Sequence, residues 1–217
     1  MSLPELEWQW VYSRLAWGAV FASLVLRTWP GSAARPPPAA WVAAGAVVAA
    51  MLLPHAASPA YWLGLMFQYP SVMLVACLIV PLLAGDSLPL SAPIPGTRLA
   101  LMLALGGAWL YADASGWLNT GLYAQGFDRR WAPAAALLIG AGAVWAVRGA
   151  TTRASGLVVL ACVGVFCLTR LPTGNLFDAL LDPLMWCWAL VASVTAALRR
   201  VRRARQAPRP APPTPAA

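Results

Sequence analysis

From Pro36 to Gly85 the chain contains no Asp, Glu, Lys or Arg. A stretch of that length can cross a ~30 Å hydrocarbon core twice, and with no charged side chain it has nothing to solvate a surface in water. The rest of the chain agrees: 60% of its 217 residues are hydrophobic and only 10% are charged, against about 25% charged in a typical soluble domain. Lipid is therefore the expected solvent.

Apolar periodicity and length place spans at Trp10–Leu26, Ala39–Leu53, Pro70–Ala84, Thr97–Ala112, Trp131–Val147, Ala154–Thr169 and Pro183–Leu198. The expected fold is an all-α, polytopic membrane bundle of about seven spans over residues 1–198. Residues 199–217 read as a basic, Pro/Ala-rich, disordered cytoplasmic tail. The Thr97–Ala112 run stops at Asp113 and is the shortest argument for a crossing, so six spans is the alternative count. Glu5 and Glu7 stand where a secretory signal would carry basic residues, and Arg14 interrupts the following apolar run, so the N-terminal segment is expected to be retained.

Charge placement orients the bundle. Cytoplasmic flanks accumulate Arg and Lys, and the cluster Arg199, Arg200, Arg202, Arg203 and Arg205 sets the C-terminus inside. Counting back through seven spans puts Arg27, Arg35, Arg98, Arg148 and Arg153 inside as well, with Arg14, Arg129, Arg130 and Arg170 outside. Glu5, Glu7, Asp113, Asp128, Asp178 and Asp182 fall outside and Asp86 inside, so both charge signs give N-out and C-in. The location that follows is a bacterial inner membrane, with lipids as neighbours. Anionic headgroups are expected at Arg199, Arg200, Arg202 and Arg203, where each arginine near the surface contributes roughly 1 kcal/mol. Nucleic acid is not an expected partner, because stop-transfer arginines beside a last helix already account for the basic cluster.

The outer connections resemble one another. Ser58-Pro59-Ala60-Tyr61-Trp62-Leu63-Gly64-Leu65 aligns without gaps to the segment from Ser115 to Leu122 and to that from Thr173 to Leu180. The shared pattern, [ST]-[PG]-x-[YL]-x-x-[GA]-L, begins with a hydroxyl cap followed by Pro or Gly, which is a helix start. Each outer connection is thus expected to hold a short interfacial helix with aromatics such as Tyr61, Trp62, Trp117, Tyr123 and Phe177 at headgroup depth. The architecture implied is helix 1 followed by three repeated hairpins around an axis along the membrane normal, the alternative being chance similarity in an Ala/Leu/Gly/Trp-rich chain.

Few residues can carry chemistry. All fifteen basic residues are arginine, so a lysine Schiff base, a pyridoxal enzyme and a Walker A lysine are excluded. A single histidine, His55, cannot supply a bis-His haem or a zinc site, and Cys77, Cys162, Cys167 and Cys187 show no C-x-x-C spacing. No cofactor and no metal is expected, although Cys167 and Cys187 lie toward the outer ends of their helices, where a disulfide can be imagined. Asp182-Pro183 reads as the cap of the last helix. Asp178 lacks that explanation and ranks first among catalytic candidates, with His55, Asp113 and Arg170 behind it; for His55 an interfacial residue facing headgroups is the plainer reading. Gly140, Gly142 and Ala146 are the expected close-packing residues of the Trp131–Val147 helix.

The functional expectation is a non-catalytic integral subunit of an inner-membrane assembly for envelope biogenesis, secretion or electron transfer, with membrane-protein partners. A small-solute or lipid carrier is the first alternative, weakened by the shortage of polar groups near the midplane. The second is an enzyme for lipid-linked substrate at the outer face, which requires Asp178 to meet Asp113, His55 or Arg170 in one cleft.

Overall fold

The computed structural model describes residues 3–30, 36–84 and 95–206. Within them every regular element is helical: α1 (Leu6–Thr28), α2 (Pro38–Met51), α3 (Pro59–Phe67), α4 (Val72–Ala84), α5 (Thr97–Ala114), α6 (Leu122–Gln125), α7 (Trp131–Val147), α8 (Arg153–Thr169), α9 (Leu176–Leu180) and α10 (Pro183–Gln206), with a single 3-10 turn at His55–Ala57. The expected long helices are all present, shifted at their ends by a few residues. Because α1 begins at Leu6 instead of Trp10, Arg14 lies a further turn into the helix.

Length and apolarity together single out one described helix, Pro183–Gln206, as able to cross a membrane unaided. Pro38–Met51, Val72–Leu83, Trp131–Val147 and Arg153–Thr169 are apolar but shorter. At 1.5 Å per residue such helices reach about 18 to 26 Å, less than a full hydrocarbon core. The last helix also corrects a boundary. It does not stop at Leu198 but continues through Arg199, Arg200, Arg202, Arg203 and Arg205 to Gln206, so these arginines form its final turns. Residues 207–217, together with Arg35 and Asp86, lie outside the described residues.

The helices pack in a row, α2 against α1, α1 against α4, α4 against α8 and α8 against α7, with the α5/α10 pair joining α4 through α10. α4 sits at the centre, which is why Met73, Leu74, Cys77 and Leu78 are buried around most of its circumference. This order corrects the three-hairpin expectation. The helices flanking each outer connection, α2 with α4, α5 with α7 and α8 with α10, are not the packed pairs. The intervening outer segments are long enough to hold a helix of their own, and that length lets each flanking helix choose another neighbour.

A short helix exists in each of the three connections expected to hold one, but only the first starts as its motif implies. Ser58 caps α3 by accepting from the Ala60 amide at 3.2 Å, while its hydroxyl donates to the Met51 carbonyl at 2.6 Å. α6 begins after Gly121, later than Ser115, and α9 is capped by Asn175 instead of Thr173.

Close helix contacts use small residues, though not those expected. A Cβ on Gly142 would meet nothing within 4 Å and one on Gly140 only Val163 at 3.9 Å. The tight approach is between Gly156 on α8 and the α7 backbone, where a Cβ would lie 2.8 Å from the Ala143 carbonyl and 2.9 Å from the Val147 nitrogen. Gly107 on α5 is a second notch, filled by Trp186 of α10, whose indole N–H donates to the Ala104 carbonyl at 3.0 Å. All four cysteines are free, and both Cys167 and Cys187 are exposed, so the disulfide between them is not formed.

Candidate functional site

The site is built from two short segments clamped together. After α8 ends at Arg170 in a left-handed conformation (φ 59°), the chain turns through Thr173 to Asn175. The Asn175 side chain accepts from the Phe177 amide at 2.8 Å, starting α9, and donates to the Tyr123 carbonyl at 3.1 Å. The Leu176 amide donates to the Gly126 carbonyl at 3.0 Å, so α9 and the α6 segment are tied twice. Gly126 is required there because a Cβ would fall 1.8 Å from Asn175 Oδ1.

Asp113, at the end of α5, holds the other side of the clamp. Its Oδ1 accepts from the Thr120 amide at 2.7 Å, the Thr120 hydroxyl at 2.6 Å and the Gly121 amide at 3.0 Å, and its Oδ2 from the Tyr123 amide at 2.9 Å. This carboxylate folds the loop that presents Tyr123.

Asp178 is the focus of that scaffold. The Tyr123 hydroxyl donates to its carboxylate at 2.9 Å and the Thr173 hydroxyl donates to Oδ2. Burial pushes the Asp178 carboxyl above the usual carboxylate range, and the hydroxyls of Thr173 and Tyr123 pull it part of the way back by hydrogen-bonding the ionised form. Burial, together with the negative charge of Asp178, in turn pushes the Tyr123 phenol up to about 12, so it remains a donor at neutral pH.

Asp182 lies four positions on, just beyond α9, and is treated differently. Its Oδ1 accepts from the Met185 amide at 2.7 Å, capping α10 as its sequence context implies, and its Oδ2 accepts from the Ser71 amide. Ser71 itself caps α4 by accepting from the Leu74 amide at 3.1 Å. Asp182 thus joins the starts of two helices, where amide donors and the helix dipoles favour a negative charge.

Both carboxylates line a cavity of about 340 Å³. Its walls come from the end of α3 and the link to α4 (Phe67, Gln68, Tyr69), from α5 (Leu110, Tyr111), and from Tyr123, Phe177 and Leu181. The remaining candidates lie elsewhere. His55 is exposed in the 3-10 turn after α2. Arg170 turns its guanidinium over the Phe166 ring, 4.8 Å from the centroid. Asp113 supports the site through Tyr123 without lining the cavity. Of these four candidates Asp178 lines the cavity, and Asp113 is linked to it through Tyr123, whose amide donates to Asp113 and whose hydroxyl donates to Asp178.

Tyr123, Thr173 and Asn175 were missed as site residues by reading the sequence. Tyr123 registered only as an interfacial aromatic and Thr173 as a cap, and the available signal was the Asn175-to-Asp178 spacing, which is that of a helix cap and its first turn. Among the described residues no group of three or more His, Cys, Asp or Glu side chains is placed to hold a metal ion. No family model, curated protein or solved structure matches this chain.

Proposed function

We propose that this chain is a non-catalytic, multi-pass integral subunit of a bacterial inner-membrane assembly, N-out and C-in. The observation that carries the membrane part is the distribution of side-chain size on α2, α5 and α7, whose buried positions are almost all Ala or Gly. On α7 the buried positions are Ala132, Ala136 and Ala143, while Leu137, Leu138 and Trp145 are about three-quarters exposed. On α5 the buried positions are Ala100, Ala104 and Gly107, and Leu101, Met102, Leu105 and Trp109 face outward. α2 buries Ala40, Ala44 and, at its end, Met51, and exposes Trp41 and Val42. In water, this arrangement exposes contiguous apolar surface that monomeric soluble proteins rarely tolerate. In lipid, small residues inside and large ones outside is what close helix packing demands. Exposed tryptophans at helix ends and in the outer connections, among them Trp8, Trp62, Trp117 and Trp131, suit the interface.

The short helices fit this reading if they cross by tilting little and letting the interfacial segments complete the span, or if the bilayer thins locally. The non-catalytic part is supported by Asp178 being the one of the four candidates that lines the cavity and by the structural use of Asp113 and Asp182 as acceptors of backbone amides. Carbonate washing of membranes tests the reading directly: the protein is expected to stay in the pellet, and a tag fused after Ala217 to resist protease added to the periplasm of intact cells. Release by carbonate, or cleavage of that tag, overturns it. Gentle detergent extraction is expected to bring down a partner membrane protein in fixed ratio; a chain that purifies alone under every mild detergent removes the subunit assignment.

A further inference from the structure

The cavity around Asp178 has a composition that a structural role does not explain. Its lining contains two carboxylates and no Arg, Lys or His, and its walls include Phe67, Tyr69, Tyr111, Tyr123 and Phe177. The two acids are not equivalent. Asp182 is satisfied by backbone amides at the starts of α4 and α10, whereas among the described residues Asp178, half-buried, receives only the neutral hydroxyls of Tyr123 and Thr173. A carboxylate partly withdrawn from water and without a cation is disfavoured in its charged form, which a proton or a positive partner relieves.

We propose that this cavity receives an organic ammonium group, with the Asp178 carboxylate as counter-ion and the tyrosine and phenylalanine rings as walls. Aromatic faces attract such cations through their quadrupoles and are the usual surroundings for ammonium headgroups. A bare divalent cation fits less well, since it needs six or more oxygen ligands or a set of retained waters, while much of this lining is aromatic. An anion would meet two acids and no base. The volume of about 340 Å³ lies at the small end of small-molecule sites. The ammonium has two natural sources, the headgroup of an ethanolamine phospholipid or a free amine. The lipid source rests on the membrane reading above, whereas capture of a free amine does not.

The test uses the full-length protein purified in a nonionic detergent. Ethanolamine and tetramethylammonium chloride are titrated against sodium chloride at matched ionic strength, with thermal unfolding as readout. Native mass spectrometry in parallel compares retention of phosphatidylethanolamine with that of phosphatidylglycerol. The wild type is expected to be stabilised by an amine, or to retain phosphatidylethanolamine over phosphatidylglycerol. Asp178→Asn is expected to weaken that binding about tenfold or more, and Asp128→Asn, which alters an outer-face carboxylate away from the cavity, to leave it unchanged. An amine response without lipid preference assigns the free amine, and lipid preference without an amine response assigns the headgroup. The proposal fails if the wild type shows neither response, or if Asp178→Asn binds as well as wild type. Should that variant not accumulate, Asp178→Glu, which keeps the charge, is expected to retain the response, and a wild type that responds to neither amine nor phosphatidylethanolamine overturns the proposal. Loss of the membrane reading alone would appear in carbonate extraction and leave the free-amine titration standing.

Discussion

Asp178 and Asp182 are separated by one helical turn of sequence, yet their environments set them opposite tasks. For Asp178 burial raises the folded-state pKa above the unfolded value. Its contribution to stability is therefore fully present below the ordinary carboxylate value and is lost as pH rises through the raised one. The groups facing it are Tyr123, Thr173, Tyr111 and Asp182, none of which supplies a positive charge. In amine-free detergent, Asp178→Asn is expected to remove that pH-dependent loss, so its melting temperature at neutral pH equals or exceeds that of wild type. A melting temperature that falls instead at neutral pH would show that the carboxylate is stabilised by something other than these neighbours. Asp182→Ala should behave in the contrary way, costing about 3 kcal/mol or more because two buried amides lose a charged acceptor. Asp113→Ala should leave the bundle folded while loosening the loop it organises, read as faster proteolytic cleavage between Gly116 and Gly121.

At the scale of elements, the informative positions are those where one helix or segment meets another without room for a side chain. Gly126→Ala drives a Cβ into Asn175 and should separate the α6 segment from α9; overpacking of this kind costs on the order of 1 to 3 kcal/mol. If thermal unfolding of that variant matches wild type, the clamp described above is not a tight one. Gly156→Val should push α8 off α7 at the Ala143 carbonyl, with a loss of similar size. Neither position stands out in the sequence, where Gly140 and Gly142 look equally suited to close packing. The periodicity of an apolar helix tells which residues are small, but a helix hydrophobic all round carries no signal for which side meets protein and which meets lipid. The repeat among the outer connections was legible as three short helices. Its implied hairpins were not realised, because matching local caps does not determine which long helices become neighbours.

For the whole molecule, the decisive property is the solvent around the bundle. Replacing both Leu137 and Leu138 with Arg is the sharpest probe, since each is exposed and apolar on α7. In a bilayer, each arginine at mid-depth would cost about 2.5 to 3.5 kcal/mol on insertion scales, and accumulation in membranes should fall steeply. In water the same changes would improve solubility, so an abundant double variant would exclude the membrane reading. The arginines of α10 extend the last helix beyond its apolar part and stand around more than half of its circumference.

The sequence alone determined that the chain is helical and where its long helices run, because runs of apolar residues bounded by Pro, Gly and charge are local information. It also separated Asp178 from Asp182, since a cap can be read from its neighbours. Only the tertiary structure decided that Tyr123 and Thr173 supply the donors to Asp178, that Asp113 acts at a distance through a loop, and that α4 is central. Those outcomes depend on contacts between segments far apart in the chain, and in a helix bundle such contacts are chosen by the fit of surfaces, which residue type and spacing do not encode.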